Sequence, residues 1–386
     1  MSKTPLFMFG LVVAAIAALG LVVLSSASEA NAIRLFNDPR HFMTRQFLFV
    51  AAGMVVAACV AAFDYRKWRD DWVLAVVMYL AVFVLLLLVF KYKPINGSRR
   101  WIPMGFINLQ PSEFAKLATV IALSVMLDKA GWRVELFKRG ALASAAVIGA
   151  LAIPVVFEPD FGSVMVMALS GGLVMILAGV RILHMFPLFA AGFAAVAYRV
   201  CTNANRMARI AAFFGVKIEV GGTEVLDEAA KRAAYQSEQA LVALKNGGIT
   251  GVGLGESMQK HFYLPEAHTD FIFAVGGEEL GLVFSIGVLL LFAAFFALAI
   301  YIAKKSADRL GRYLAFGMAF LVFFQAVFNL GVVCKALPTK GMALPFFSYG
   351  GTNMLSTFFA VGTILSVGIH SLRDKKRELL RKVIMK

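Results

Sequence analysis

Long apolar stretches alternate with short, basic connectors along the chain, and the stretches set its architecture. Apolar runs of about 17 to 25 residues cross a bilayer as helices. Ten are predicted, near 6–25, 46–63, 72–90, 112–128, 140–157, 162–180, 183–200, 278–303, 313–333 and 351–371. Runs such as Val82 to Phe90 are apolar at every position rather than at alternate ones, which argues against a β-barrel. The one long polar stretch is 201–277, whose middle predicts a helix from about Glu224 to Leu244, stopped by Lys245, Asn246 and Gly247. No repeat stands out. The expected fold is an all-α integral membrane protein: one polytopic domain over 1–386, about ten transmembrane helices, a large extracytoplasmic loop 201–277 between helices seven and eight, and a basic tail 372–386.

Composition agrees, since 60% hydrophobic and 16% charged residues with a mean hydropathy of +0.78 stand far from the roughly 25% charged content of soluble domains. The first run combines Lys3, an apolar core and the small residues Ser25 to Ser28, as a secretory signal does. A signal's core is about 7 to 15 residues; this one is longer, so a retained helix is expected. Lys and Arg concentrate in cytoplasmic loops. Lys3, Arg66, Lys67, Arg69, Lys129, Arg133, Lys138, Arg139, Lys304, Lys305, Arg309, Arg312 and the tail from Arg373 all fall on one side, which puts both termini in the cytoplasm. The opposite side then receives nearly every unusual polar motif, and the chemistry is expected to face outward.

The net charge of +15 largely restates this bias, with the tail RDKKRELLRK suited to anionic lipid headgroups. Nucleic acid is not an expected partner. Cys59, Cys201 and Cys334 are far apart, nothing supports a Cys201–Cys334 bridge, and His41, His184, His261, His268 and His370 form no ligand cluster, so no metal site is expected.

The most unusual segment is LPEAHTDFIFAVGGEELG, Leu264 to Gly281, which sets four acids and a histidine against membrane-grade sequence. Ionisable groups at a membrane boundary are costly and mark function. Asp270 is followed by Phe271, Ile272 and Phe273, and a carboxylate at such an edge has its pKa raised and becomes a candidate base. The plainer alternative makes Asp270 or Thr269 a helix cap, and the plain reading is preferred for His268 as a satisfied loop histidine and for Glu278 and Glu279 as the polar start of the eighth helix.

In KPINGSRRWIPMGFINLQPSEFAKLA, Asn96-Gly97 marks a turn, Arg99 and Arg100 are adjacent cations, and Trp101 suits the headgroup zone. Pro111-Ser112-Glu113 opens a helix with an acidic first turn, and Lys116 follows on the same face. Glu113 and Lys116 are either a structural ion pair or, with an arginine, part of an anionic-ligand site. In EPDFGS, Asp160 is either a helix cap or a catalytic or metal-assisting carboxylate. GGITGVGLGES fails as a dinucleotide fingerprint and reads as a flexible turn near substrate. LPTKGMALPFFSYGGTNML carries Pro338 and Pro345, which forbid a straight helix, with Lys340 and Ser348 as polar contacts. Irregular backbone at membrane depth needs a protein or wet-cavity surround.

Taken together, NGSRRWIPMGFINLQPSEFAKLA, EPDFGS, GVGLGESMQKHFYLPEAHTDFIFAVGGEELG and LPTKGMALPFFSYGGTN resemble the SEDS family (shape, elongation, division and sporulation) over nearly the whole chain. The stretch Pro338-Thr339-Lys340-Gly341 and the run HFYLPEAHTD look more like its cell-division branch than its elongation branch. The resemblance implies a peptidoglycan glycosyltransferase that polymerises lipid II outside the bacterial cytoplasmic membrane. Implied partners are a class B penicillin-binding protein acting as transpeptidase and other divisome membrane proteins. The family's essential acid matches Asp270, its Glu and Lys after Pro-Ser match Glu113 and Lys116, and its Pro-Asp-x-Gly carboxylate matches Asp160. In the outer loop Tyr235, Gln236 and Gln239 match, whereas Phe214-Gly215-Val216 replaces the family's usual Asp-Pro and VLDEAAKRAA precedes Tyr235. The expected substrate-binding set is therefore Lys116, Glu113, Arg99, Arg100, Trp101, Asp160, Gln236, Gln239, Lys340 and Ser348.

The implied reaction joins a GlcNAc hydroxyl to the anomeric carbon of MurNAc, with inversion and loss of undecaprenyl pyrophosphate. One in-line displacement needs one base, for which Asp270 is the candidate, while Lys116, Arg99 or Arg100 stabilise the leaving group. A divalent cation, Mg or Mn, bridging Asp160 or Asp270 to the pyrophosphate is compatible with this chemistry, although no dedicated ligand cage is visible. Two readings compete from other classes. A lipid II flippase also needs many helices around a polar cavity, but the cytoplasmic loops offer mainly Lys and Arg. A non-catalytic scaffold would only position the transpeptidase. Within the family, an elongation-type polymerase is the alternative.

Overall fold

The structure, a computed structural model, describes residues 3–94, 98–202, 207, 213, 219–220, 223–224, 228–338 and 341–385. The Asn96-Gly97 turn, Phe214-Gly215-Val216 and Lys340 lie outside them. Eleven long helices carry the described chain: α1 Thr4–Phe36, α2 His41–Ala62, α3 Trp72–Leu88, α4 Pro111–Ala130, α5 Ala143–Phe157, α6 Phe161–Ala178, α7 Ile182–Cys201, α8 Glu228–Gly247, α9 Ile272–Lys304, α10 Arg309–Val333 and α11 Gly351–Ile384. All ten predicted runs are helical, and α8 is the helix of the large loop. It starts at Glu228 rather than Glu224, because Thr223–Glu224 pairs with Glu219–Val220 in a short antiparallel ribbon.

Among the described residues, nine helices are long and apolar enough to cross a membrane by length and composition. The one predicted run outside these nine, the fourth, is α4, which carries Glu113, Lys116, Asp128 and Lys129, and these dilute its hydropathy. Its 20 residues still extend about 30 Å, a bilayer's apolar thickness. Most of its positions are buried, with α3, α6 and α10 packed around it. A helix that carries four charged side chains is thus well shielded from lipid. At the periphery, α7 buries only Met185, and α3 leaves Val77 56% and Leu80 52% exposed. Apolar side chains without a protein partner are those that lipid covers.

Helix ends follow local chemistry. Pro111 opens α4, Asp160 caps α6 through Ser163 N (3.3 Å), and Asp308 caps α10 through Gly311 N (2.8 Å). The end of α1 differs from expectation. It continues to Phe36, with Ser26 and Ser28 buried against the bundle.

The start of α9 also differs, because the helix begins at Ile272 and takes in Glu278 and Glu279, which are 1% and 0% exposed. They are not its polar start. The helix breaks at Gly281 (φ 72°, ψ −161°), which frees backbone groups on both sides of the break. The strap following α8 satisfies them: Val252 N and Gly253 N donate to Glu278 O and Glu279 O (both 3.0 Å), and Leu282 N donates to Gly248 O (3.0 Å). Only glycine permits this approach, since a Cβ on Gly251 would stand 2.1 Å from Glu279 O. GVGLGES is therefore a tight backbone junction rather than a flexible turn near substrate.

Around the junction, Glu278 accepts from Ser257 Oγ, Gln259 N (3.2 Å) and Asn246 Nδ2 (3.2 Å), while Glu279 accepts from Ser26 Oγ and faces Lys260 Nζ at 3.5 Å. A buried carboxylate is tolerated when it is bonded and paired in this way. The cluster pins the outer loop to α1 and α9.

Candidate active site

Asp270 lies two residues before α9, in a loop held by its backbone. Asn329 Nδ2 donates to Asp270 O (2.8 Å) and to Met342 O (2.7 Å), Ser348 Oγ donates to Thr269 O (2.7 Å), and Tyr349 N donates to His268 O (3.1 Å). The irregular segment 341–350 is thereby stitched to the loop carrying the acid. The side chain itself is left available. Neither Asp270 nor Thr269 caps α9, whose N-cap is Phe271 without a side-chain bond, and no described residue donates a hydrogen bond to the Asp270 carboxylate.

Burial, reinforced by the charge of Glu266, raises the Asp270 carboxyl to about 7, with Arg100 pulling it down and Asp160 pushing it up. The influence of Arg100 and Asp160 on one carboxyl brings three sequence-separated motifs into one electrostatic field. Gly341 makes room for the group, since a Cβ there would stand 2.5 Å from Asp270 Oδ2. The nearest atom is the end of a side chain, so Gly341→Ala is expected to leave folded yield unchanged while displacing the carboxylate. A displacement of a reacting group lowers turnover by about 10²-fold, to be read as rate per folded molecule.

Next to Asp270, Arg100 Nε donates to Glu158 O (3.0 Å) and Nη2 donates to Pro159 O (2.6 Å), so this guanidinium props the Glu158–Asp160 turn. Arg99 is exposed, with Nη1 on Phe90 O (3.1 Å), and Trp101 is half-buried beside the ribbon of β1 Ile102–Pro103 and β2 Asn108–Leu109. Asp160 accepts from Ser163 Oγ (2.7 Å) and Ser112 Oγ (3.2 Å), joining the start of α6 to the start of α4. The Glu158 carboxyl is fully buried without a described hydrogen-bond partner, and burial followed by the Asp160 charge raises it to about 8 against the pull of Arg100. At neutral pH it is an uncharged acid.

Glu113 and Lys116 form a buried pair at 2.8 Å. Lys116 Nζ also donates to Gln325 Oε1 (2.7 Å), and Glu113 Oε2 accepts from Ser356 Oγ (3.0 Å). Gln325 Nε2 in turn holds Ala343 O (2.9 Å) and Asn353 Oδ1 (3.2 Å). The pair therefore supports the 341–350 segment from beneath, with Lys116 only 2% exposed. Ser348, expected to meet substrate, is fully buried and bridges Leu344 N and Thr269 O with its hydroxyl. Gln236 and Gln239 are half-buried on α8. His268 follows its plain reading, packed on Phe42 at 4.9 Å with its pKa lowered by burial.

Gln325, Asn329, Asn353 and Ser356 were not among the expected site residues. Their signal is nonetheless legible: isolated amides and hydroxyls spaced by three or four on otherwise apolar helices face a common neighbour.

A family described as a cell cycle protein, FtsW/RodA/SpoVE, matches residues 6–373. The chain is 37% identical over 360 residues to a Trichlorobacter lovleyi protein named "Probable peptidoglycan glycosyltransferase FtsW", covering 92% of this chain and 91% of that one. A Coxiella burnetii protein of the same name is 36% identical over 356 residues, covering 91% and 92%. Among solved structures, a chain of a peptidoglycan synthase complex that coordinates polymerization and crosslinking aligns with a TM-score of 0.72 at 26% identity, covering 95% of this chain and 98% of that one. The rod shape determining protein RodA of Thermus thermophilus aligns at 0.67 and 26%, covering 95% and 96%.

Proposed function

The chain belongs to the FtsW/RodA/SpoVE family of cell cycle proteins, and from that membership we propose how its site works as a peptidoglycan glycosyltransferase. Asp270 is the general base that takes the proton from the acceptor hydroxyl of lipid II as that oxygen attacks the donor's anomeric carbon. The undecaprenyl pyrophosphate leaves on the opposite face, within the field of Arg100 and the exposed Arg99. The observation that carries this reading is a preorganised carboxylate to which no described residue donates a hydrogen bond, with a pKa of about 7, the value a base needs near neutral pH.

Asp160 and Glu113 act through structure. Asp160 orders the turn that Arg100 props, and Glu113 neutralises Lys116 beneath the 341–350 segment. A divalent cation would be held by Asp160 and Asp270, although among the described residues no three His, Cys, Asp or Glu side chains gather into a metal-binding group. Such an ion would supply positive charge to the leaving pyrophosphate. We read the multi-pass protein with Asp270 facing outward, because its Lys and Arg residues concentrate in the loops of the other side. Its partner is a class B penicillin-binding protein, in keeping with the synthase complex that the chain resembles.

The division branch is favoured over the elongation branch because the curated relatives carry the FtsW name. The flippase reading has no comparable support. Purified protein with its transpeptidase partner, given lipid II in detergent, is expected to form glycan strands. Transfer of lipid II across vesicles without any polymer would overturn the proposal.

A further inference from the structure

A cavity of about 700 Å³ opens between the loop after α4, the end of α6 and the start of α10. Arg309 and Asn329 are 20 positions apart on α10, about 30 Å along the helix axis. Asn329 touches the Asp270 loop, so the cavity lies at the other end of the bundle, which the orientation proposed above puts at headgroup level of the inner leaflet. It is separate from the chemistry described above.

The cavity is cationic on one wall. Arg309 and Arg312 line it, and neither lies within ion-pair distance of a carboxylate among the described residues. Nearby acids are already engaged. Asp128 and Asp308 are shared with Arg69 at 3.6 and 3.7 Å, and Asp308 with Arg66 at 3.6 Å. The one carboxylate in the lining, Glu135, is paired with Arg181 at 2.9 Å. Arg312 Nε donates to the backbone oxygen of Asp308 (3.4 Å) and Arg309 feels Asp128 at longer range, so among the described residues both guanidiniums line the cavity without a direct carboxylate partner.

The other wall is apolar and open to lipid. Trp132 is 73% exposed and Leu177 45% exposed within the lining, and Ile182 and Leu183 continue outward from it at 66% and 82%. Basic pockets between helices at the cytoplasmic side take anionic lipid headgroups, an aromatic such as Trp132 belongs at that depth, and arginine pairs match phosphate oxygens in fork geometry.

We propose that this cavity binds an anionic glycerophospholipid of the inner leaflet, with its phosphodiester between Arg309 and Arg312 and an acyl chain along Leu177 and Ile182. Occupancy would fasten α6 to α10 at the end of the bundle remote from Asp270.

The test uses full-length protein in nanodiscs of dioleoylphosphatidylglycerol or dioleoylphosphatidylcholine. In wild type, the anionic lipid is expected to shield Arg309 and Arg312 from phenylglyoxal at least tenfold more than the zwitterionic one, read by peptide mass spectrometry. Native mass spectrometry after delipidation should find phosphatidylglycerol retained by wild type and by the Arg309→Lys/Arg312→Lys variant, but lost from Arg309→Gln/Arg312→Gln. Equal shielding by both lipids, or retention by the Gln variant, overturns the proposal. Equal shielding by inorganic phosphate in lipid-free detergent would assign the site to a soluble phosphate ester and overturn the lipid assignment. The shielding arm needs no variant, so a poorly folding double substitution leaves the outcome decidable.

Discussion

Asp270→Asn is expected to lower glycan formation from lipid II by about 10²- to 10⁴-fold, the contribution of a positioned general base, without lowering folded yield. The substitution keeps the shape and removes only the basic oxygen. Because the carboxylate is the active form and its pKa is raised to about 7, wild-type turnover should climb about tenfold per pH unit below 7 and level off above it. The residual activity of the Asn variant should lack that limb. A flat wild-type profile between pH 5 and 8 would remove Asp270 from the role of base.

Stability should move in the opposite direction to activity. A carboxyl raised from an ordinary 3.8 to about 7 binds its proton more tightly in the folded chain than in the unfolded one. The charge therefore costs folding free energy that accumulates as pH rises from about 4 and is fully present above 7. Asp270→Asn removes the cost, so its melting temperature should exceed that of wild type by a margin that widens from pH 4 to pH 8. A purely structural aspartate with bonded oxygens would show the reverse. Loss of rate together with gain of stability is the signature of a group held for chemistry.

The membrane makes the helices legible and the site less so. Lipid demands continuous apolar runs, so each crossing can be read in the sequence, including α4, whose charges Glu113 and Lys116 interrupt the run without ending it. Gly281 gives no such notice. The apolar pattern passes straight across it, and only the facing strap at Gly251 makes a break affordable there. The same blindness hides the role of Glu278 and Glu279, because a polar helix start and a buried cluster have one local pattern and differ only in the distant Ser26 and Lys260. Lys116 illustrates the intermediate case. Its position one turn inside a helix announces that it needs a partner, and its spacing from Glu113 names one, but Gln325 lies 209 residues away and can be found only through the packing of α4 on α10.

That packing makes Lys116 the second position where a large effect is expected. Lys116→Met leaves Glu113, 6% exposed, with the Ser356 hydroxyl as its one side-chain partner among the described residues, and stranding a buried charge costs about 3 to 5 kcal/mol. The melting temperature should fall by several degrees and folded yield with it. Glu113→Gln in the same chain replaces the stranded charge by a neutral amide and should restore most of the loss, so the two changes together cost less than their sum, as groups in one network do. Turnover is expected to behave differently. Gln325 has lost the donor to its Oε1 in both the single and the double variant, and its Nε2 is what holds Ala343 O in the segment that abuts Asp270. The folded double variant should therefore remain at least about tenfold slower than wild type, since small displacements of a reacting group are amplified in rate, while KM for lipid II stays unchanged. Full recovery of both melting temperature and turnover would reduce Lys116 to a counter-ion for Glu113. A raised KM would instead place its ammonium on the substrate, which its 2% exposure and its two protein partners argue against.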